Sequence, residues 1–204
     1  MKKYELTSET KVINGVKLHQ IKALNSFGNI KEGNLGGWIE SEKNLSQDGD
    51  AWVFDNAKVS GNATVSENAR VYGKAFICGK ATVGGNATVI ENATVRGNAT
   101  VGGYATVYGY ATVGGYATIS GYAVVCGNAK VRGNADFIVF KNWWSSGRYF
   151  TWTRSNNKWE VGCFYGSGEE LIAKAYKDSE KSGREYERVV KYVESIMEEE
   201  NNNK

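Results

Sequence analysis

Proline is absent from these 204 residues, histidine occurs once, and cysteine three times. A chain with 25 glycines and no proline is neither collagen-like nor a flexible low-complexity linker. Cys78, Cys126 and Cys163 are odd in number and far apart, so they form neither a disulfide framework nor a paired metal site. A reducing cytoplasm is the expected compartment. No apolar run is long enough to span a bilayer, and the stretch from Met1 to Thr7 lacks an apolar signal segment. Neither a membrane partner nor export is therefore expected. Net charge is only +3, too little to imply a polyanion partner without a local concentration of it. Phosphate loops, HExxH, nucleophile elbows and zinc-ligand clusters are also missing, so no metal and no cofactor are expected.

What is present is a short period. From Ala51 to Asn134 the chain divides without insertion into six-residue units of the form Ala-x-Val-x-Gly-Asn. Alanine and the β-branched residue lie two apart and so point to one side of a short strand. Gly and Asn tolerate positive φ and turn the chain. Where Tyr104, Tyr110, Tyr116 and Tyr122 replace Asn, the neighbouring Gly is expected to carry more of the turn. Three strands and three turns close an 18-residue coil, and coils stack about 4.8 Å apart. The Asn-x-Thr triplets at Asn62, Asn86, Asn92 and Asn98 are by-products of this repeat.

The pattern resembles the hexapeptide-repeat left-handed β-helix family, and the handedness follows from that resemblance. Gly36-Gly37-Trp38, Gly49-Asp50 and Trp52 also look like bacterial and phage hexapeptide proteins that carry an acyltransferase label by fold analogy. This likeness covers roughly residues 1–135. The expected fold is mainly β, a left-handed parallel β-helix over 51–135 with caps at both ends, because a bare coil exposes its core and its strand edge. Residues 1–50 form the N-terminal cap, with a hairpin turning at Asn14-Gly15 and an irregular first coil through Trp38, Leu45 and Val53. Residues 136–200 read as a small α+β domain, a β-hairpin followed by two helices. Capping-box patterns place the helix starts at Ser167 to Glu170 and at Ser182 to Glu185. Residues 201–204 are expected to be a disordered tail.

Units three apart stack, so the coil has three faces. On the first, Phe54, Tyr72, Ile90, Tyr108 and Cys126 make an outward apolar stripe, expected to drive self-association or to be covered by the C-terminal helices. The second carries Lys58, Lys80, Arg96, Lys130 and Arg132 without an acidic residue, a surface for an acidic partner or nucleic acid, or simply a solubilising one. The third repeats Thr64, Thr82, Thr100 and Thr118. A flat threonine ladder resembles ice-binding β-helices, but the second column here is Ser66, Gly84, Gly102 and Ser120, so threonine serves as an ordinary strand residue.

Acyltransferases of the resembled family use a histidine base that must reach the acceptor. His19, the single histidine, falls in the N-terminal hairpin, and no loop interrupts the repeats. It reads as structural, and no catalytic residue is assigned. The aromatic segment after the last coil is the stronger candidate. Trp143, Trp144, Arg148, Arg154 and Lys158 are its expected partner-binding residues, with Trp143 and Trp144 exposed in a turn, since aromatic planes beside cations receive acidic protein surfaces or bases. Three functions stay open. The first is a non-enzymatic protein-interaction scaffold, a homo-oligomer with a protein or ribonucleoprotein partner. The terminal module resembles phage and prophage modules, which implies a phage-encoded antagonist of a host defence system, anti-CRISPR-like, acting by steric occlusion in the host cytoplasm. The others are an acyl or nucleotidyl transferase and an RNA or single-stranded DNA binder.

Overall fold

The computed structural model describes residues 2–202. Strands β1 (Tyr4–Ile13) and β2 (Val16–Ala23) form the expected hairpin, with Asn14 and Gly15 both at positive φ (51° and 79°). This is the turn geometry that matches the twist of paired strands. Strand β3 (Leu35–Ile39) pairs antiparallel with β2 and parallel with the coil strand β5 (Lys58–Val59), so it passes the hairpin's edge on to the coils. Gly37 allows this approach, because a Cβ there would lie 2.7 Å from the Ala57 carbonyl oxygen.

Strands β4 to β17 are the fourteen hexapeptides, each a two-residue strand, from Trp52–Val53 (β4) to Lys130–Val131 (β17). They stack as β4-β7-β10-β13-β16, β5-β8-β11-β14-β17 and β6-β9-β12-β15. Thr88 lies over Arg70 and under Thr106, which is the 18-residue coil. The cap departs from it, since Ile39 pairs with Val59 and Leu45 with Val65, twenty residues apart. Every repeat alanine and every repeat Val or Ile is buried to 0% exposure, giving one apolar column through the solenoid.

Glycine, not asparagine, makes the turns. Positive φ occurs at the fifth position of every unit but the last, where Gly133 is extended, and not at the sixth, so tyrosine replaces asparagine there without backbone strain. Three units carry an acid at the fifth position instead, Asp55, Glu67 and Glu91, with φ of 50°, 59° and 61°. Left-handed backbone costs such residues about 1–2 kcal/mol. Each offsets it by accepting a hydrogen bond from the fifth-position N–H one coil on: Asp55 from Gly73 (3.1 Å), Glu67 from Gly85 (2.6 Å) and Glu91 from Gly109 (3.0 Å).

Beyond the last coil, a four-stranded antiparallel sheet runs β18 (Phe137–Lys141), β19 (Tyr149–Thr153), β20 (Lys158–Val161) and β21 (Phe164–Gly166). The sequence reading missed the short β21. Helix α1 (Gly168–Asp178) starts in the expected box, with Ser167 Oγ accepting from the Glu170 N–H (3.2 Å) and the Glu170 carboxylate accepting from the Ser167 N–H (2.7 Å). Helix α2 (Glu180–Asn202) starts earlier than expected. Ser182 is buried inside it, and Ser179 Oγ instead accepts from the Ser182 N–H (3.1 Å). The tail expected from 201 is helical through Asn202, while Asn203 and Lys204 lie outside the described residues. Both helices pack on the sheet around Trp152, Trp159, Phe150 and Leu171.

Candidate functional site

His19 lies on β2, half-buried, with Nδ1 3.2 Å from the Thr7 carbonyl oxygen. A hydrogen bond within the hairpin fits a structural role. No group of three potential metal ligands occurs among the described residues.

Along the expected apolar stripe, Phe54, Tyr72, Ile90 and Tyr108 are half-buried rather than exposed, and Cys126 is buried. Phe54 and Tyr72 stack with centroids 4.2 Å apart and planes 13° from parallel, and Ile90 follows half-buried. The helices do not cover the stripe, because their apolar faces are taken up by the C-terminal sheet. The sheet itself covers the upper end. Thr151 accepts from the Val124 N–H (3.0 Å) and Ser155 from the Lys130 N–H (2.7 Å), which closes the last coil's open edge as a cap must. Cys126 is buried there and donates to Glu160 Oε2 at 3.4 Å. Burial, with Glu160 adjacent, pushes the Cys126 thiol up to about 12. Burial also raises the Glu160 carboxyl above its usual range, although bonds from Tyr108 and Cys126 pull it back. The group joins solenoid and domain, with Cys126 and Glu160 buried and Tyr108 half-buried.

The aromatic segment divides between core and surface. Trp144 is buried, contrary to expectation, and meets Tyr186 edge-on at 4.9 Å. A turn of the chain alone does not expose a ring that finds a helix above it. Trp143 is 72% exposed. Arg154 is not free for a partner, because it forms a two-point ion pair with Glu200 and donates to the Ala135 carbonyl (3.1 Å). Lys158 lies 4.0 Å from Glu170. Arg148 is exposed at the rim of a cavity of about 290 Å³ lined also by Asn142, Cys163 and Lys174.

One surface joins solenoid to domain. Tyr104 and Tyr122 stack at 5.2 Å, Tyr122 and Tyr149 at 4.7 Å, with planes within 6° and 13° of parallel. All three are exposed, and the Lys141 ammonium lies 5.6 Å from the Tyr149 ring centre. The 18-residue spacing of Tyr104 and Tyr122 was readable in the repeat. Tyr149 lies outside any period and needed the tertiary structure.

The five basic residues do not form one stripe. Lys58 is half-buried, and burial together with Lys74 lowers its pKa. Lys80 stands exposed at a corner. Arg96, Lys130 and Arg132 gather around one notch of about 330 Å³, floored by Thr112, Gly114 and Gly115.

With this geometry in hand, comparison with known proteins bears on the repeat. The family described as YdcK Beta solenoid repeat matches residues 57–73. A curated relative, "Uncharacterized acetyltransferase YdcK" of Escherichia coli (strain K12), is 32% identical over 68 residues, 29% of this chain and 21% of the relative. The matched stretch thus spans about a fifth of that relative's length. Coil geometry and both likenesses agree that the chain is built on the hexapeptide-repeat β-helix.

Proposed function

We propose that this protein is a non-catalytic interaction scaffold, in which the solenoid rigidly presents its C-terminal domain to a protein partner. The observation that carries this reading is the exposed run Tyr104, Tyr122 and Tyr149, with Lys141 and Trp143 beyond it. Large aromatic rings held in place before binding give contact area at little entropic cost. Nucleic acid suits this surface less well. Stacking on bases needs free ring faces, and in this run Tyr122 has both faces taken and Tyr104 and Tyr149 one each. A phage-encoded antagonist of host defence would use such a surface by steric occlusion, a narrower version that rests on the resemblance of the terminal module alone.

Affinity capture from extract, wild type against Trp143→Ala with Tyr149→Ala, tests the proposal. A stoichiometric protein retained by the first and lost by the second is the expected result. The competing reading is acyl transfer, which the relative's name favours. Acetyl-CoA would then raise the melting temperature saturably, and His19→Ala would abolish the shift. That outcome replaces the scaffold by an enzyme.

Self-association through Phe54, Tyr72 and Ile90 belongs to the same proposal. Tyr72→Glu with Ile90→Glu is expected to lower the mass seen by light scattering. An unchanged mass removes the stripe from the reading.

A further inference from the structure

At the corners of the solenoid, the protein's own carboxylates cap backbone N–H groups of the neighbouring coil. Asp55, Glu67 and Glu91 each accept the fifth-position N–H one coil on, at 2.6–3.1 Å. Along the corner that follows the second face, the same N–H of Gly61 goes to Glu40 (2.6 Å) and that of Gly133 to Asp136 (3.1 Å). Between them lie Gly79, Gly97 and Gly115, whose N–H groups have no partner among the described residues. Glycine at 79 and 97 supplies no carboxylate to the coil above.

At two of these three corners the cations gather. Arg96, Lys130 and Arg132 line the notch that also contains Gly97 and Gly115, and no carboxylate pairs with any of them among the described residues. Gly114 lies against Arg96 in the notch lining, its Cβ position 3.5 Å from Arg96 Cγ, an ordinary contact distance. Asp136 follows the last coil, and its Oδ2 is already engaged by the Arg132 and Gly133 N–H groups (2.6 and 3.1 Å). Gly103 and Gly121, at the corner after the third face, also have unpartnered N–H groups, but tyrosines stand beside them and no cation does. Gly79 has Lys80 alone beside it, whereas Gly97 and Gly115 share one notch with three unpaired cations.

The geometry points to this notch as a binding site for the terminal phosphate of a small phosphomonoester. Backbone N–H groups and guanidinium forks are the donors that such a dianion takes. Three cations around one notch match a concentrated charge better than the extended track a nucleic acid strand needs. The site is separate from the tyrosine run and does not depend on it.

The test is titration of the full chain at low ionic strength with inorganic phosphate and with phenyl phosphate, followed by calorimetry. Saturable one-to-one binding is expected, and a tighter fit for phenyl phosphate identifies an organic phosphomonoester while equal affinities identify free phosphate. Arg96→Ala and Arg132→Ala are each expected to weaken binding about tenfold. Gly97→Glu gives the Gly115 N–H a carboxylate of the protein's own, as Glu91 does for Gly109, and is expected to abolish binding while the melting temperature holds. Should Gly97→Glu not fold, the two arginine variants carry the test. No saturation with either compound, undiminished affinity in a folded Gly97→Glu, or binding of an oligothymidylate with phosphate inert would overturn the site.

Discussion

The solenoid core is alanine, valine and isoleucine in identical layers, whereas the core of the C-terminal domain is Trp144, Phe150, Trp152, Trp159 and Tyr186. The two are stabilised differently. In the solenoid each coil contributes a thin apolar layer and a set of backbone hydrogen bonds to the next coil, so stability accumulates along the axis by nearest-neighbour terms. In the domain, a few large side chains with one arrangement do the same work. Gly183 shows how tight that arrangement is, because a Cβ there would lie 2.2 Å from Tyr176 Cδ1. Repetition tolerates change at the surface and forbids it inside. The aromatic core depends instead on a small number of individual contacts.

The comparison breaks most sharply in the middle of the solenoid. Val101 is fully buried between Val83 and Ile119, so Val101→Asp places an unpaired charge in the column. A loss beyond about 4 kcal/mol is expected, seen as collapse of the whole denaturation curve. A separate residual transition for the coils would show that they melt independently. Next comes the aromatic core. Trp152→Ala removes a buried ring whose Nε1 donates to Asn157 (2.8 Å), with an expected loss of about 3 kcal/mol confined to the domain. Amide exchange is the check, and faster exchange in the first coils would contradict the division.

A smaller effect sharpens the account of the turns. Glu67→Ala keeps the left-handed backbone but loses the bond to the Gly85 N–H, and is expected to cost about 1 kcal/mol. Glu67→Gly loses the bond and the strain together and is expected to fall near the wild type. Equal destabilisation by both would remove strain from the explanation.

The smallest effect concerns the junction between the two regions. Burial holds the Glu160 carboxyl above its ordinary value of 4.5, so the folded protein binds that proton more tightly than the unfolded chain does. Its contribution to stability is therefore complete below 4.5 and is lost as pH rises through the higher folded value. Glu160→Gln keeps an acceptor for Cys126 and is expected to flatten this part of the pH profile, with a modest gain at neutral pH. Denaturation midpoints from acid to neutral pH measure it, and an unaltered slope would place the carboxyl in water.

Much of the molecule was legible beforehand because a repeat states each instruction many times. Ala at the first position and Val at the third, read over fourteen units, fixed the coil length, the three faces and the buried column. The Asn14-Gly15 turn and the Ser167 box were equally local, each decided by residues within a few positions. Trp144 failed as an exposed residue, and Arg154 as a free cation, because their environments come from α2, some forty residues on. The basic stripe failed for a related reason. Its members share a face, but Phe76, Thr94 and Thr112 stack between Lys58 and Lys130, so only Arg96, Lys130 and Arg132 meet in one notch.

Sequence alone therefore determined the period, the turns and the inward column, since these depend on backbone geometry and on side-chain alternation along a single strand. Tertiary structure alone decided which rings became core, which cations stayed unpaired, and that Tyr149 completes a stack begun in the solenoid. Those outcomes turn on packing and charge between segments far apart in the chain, where no local spacing carries the information.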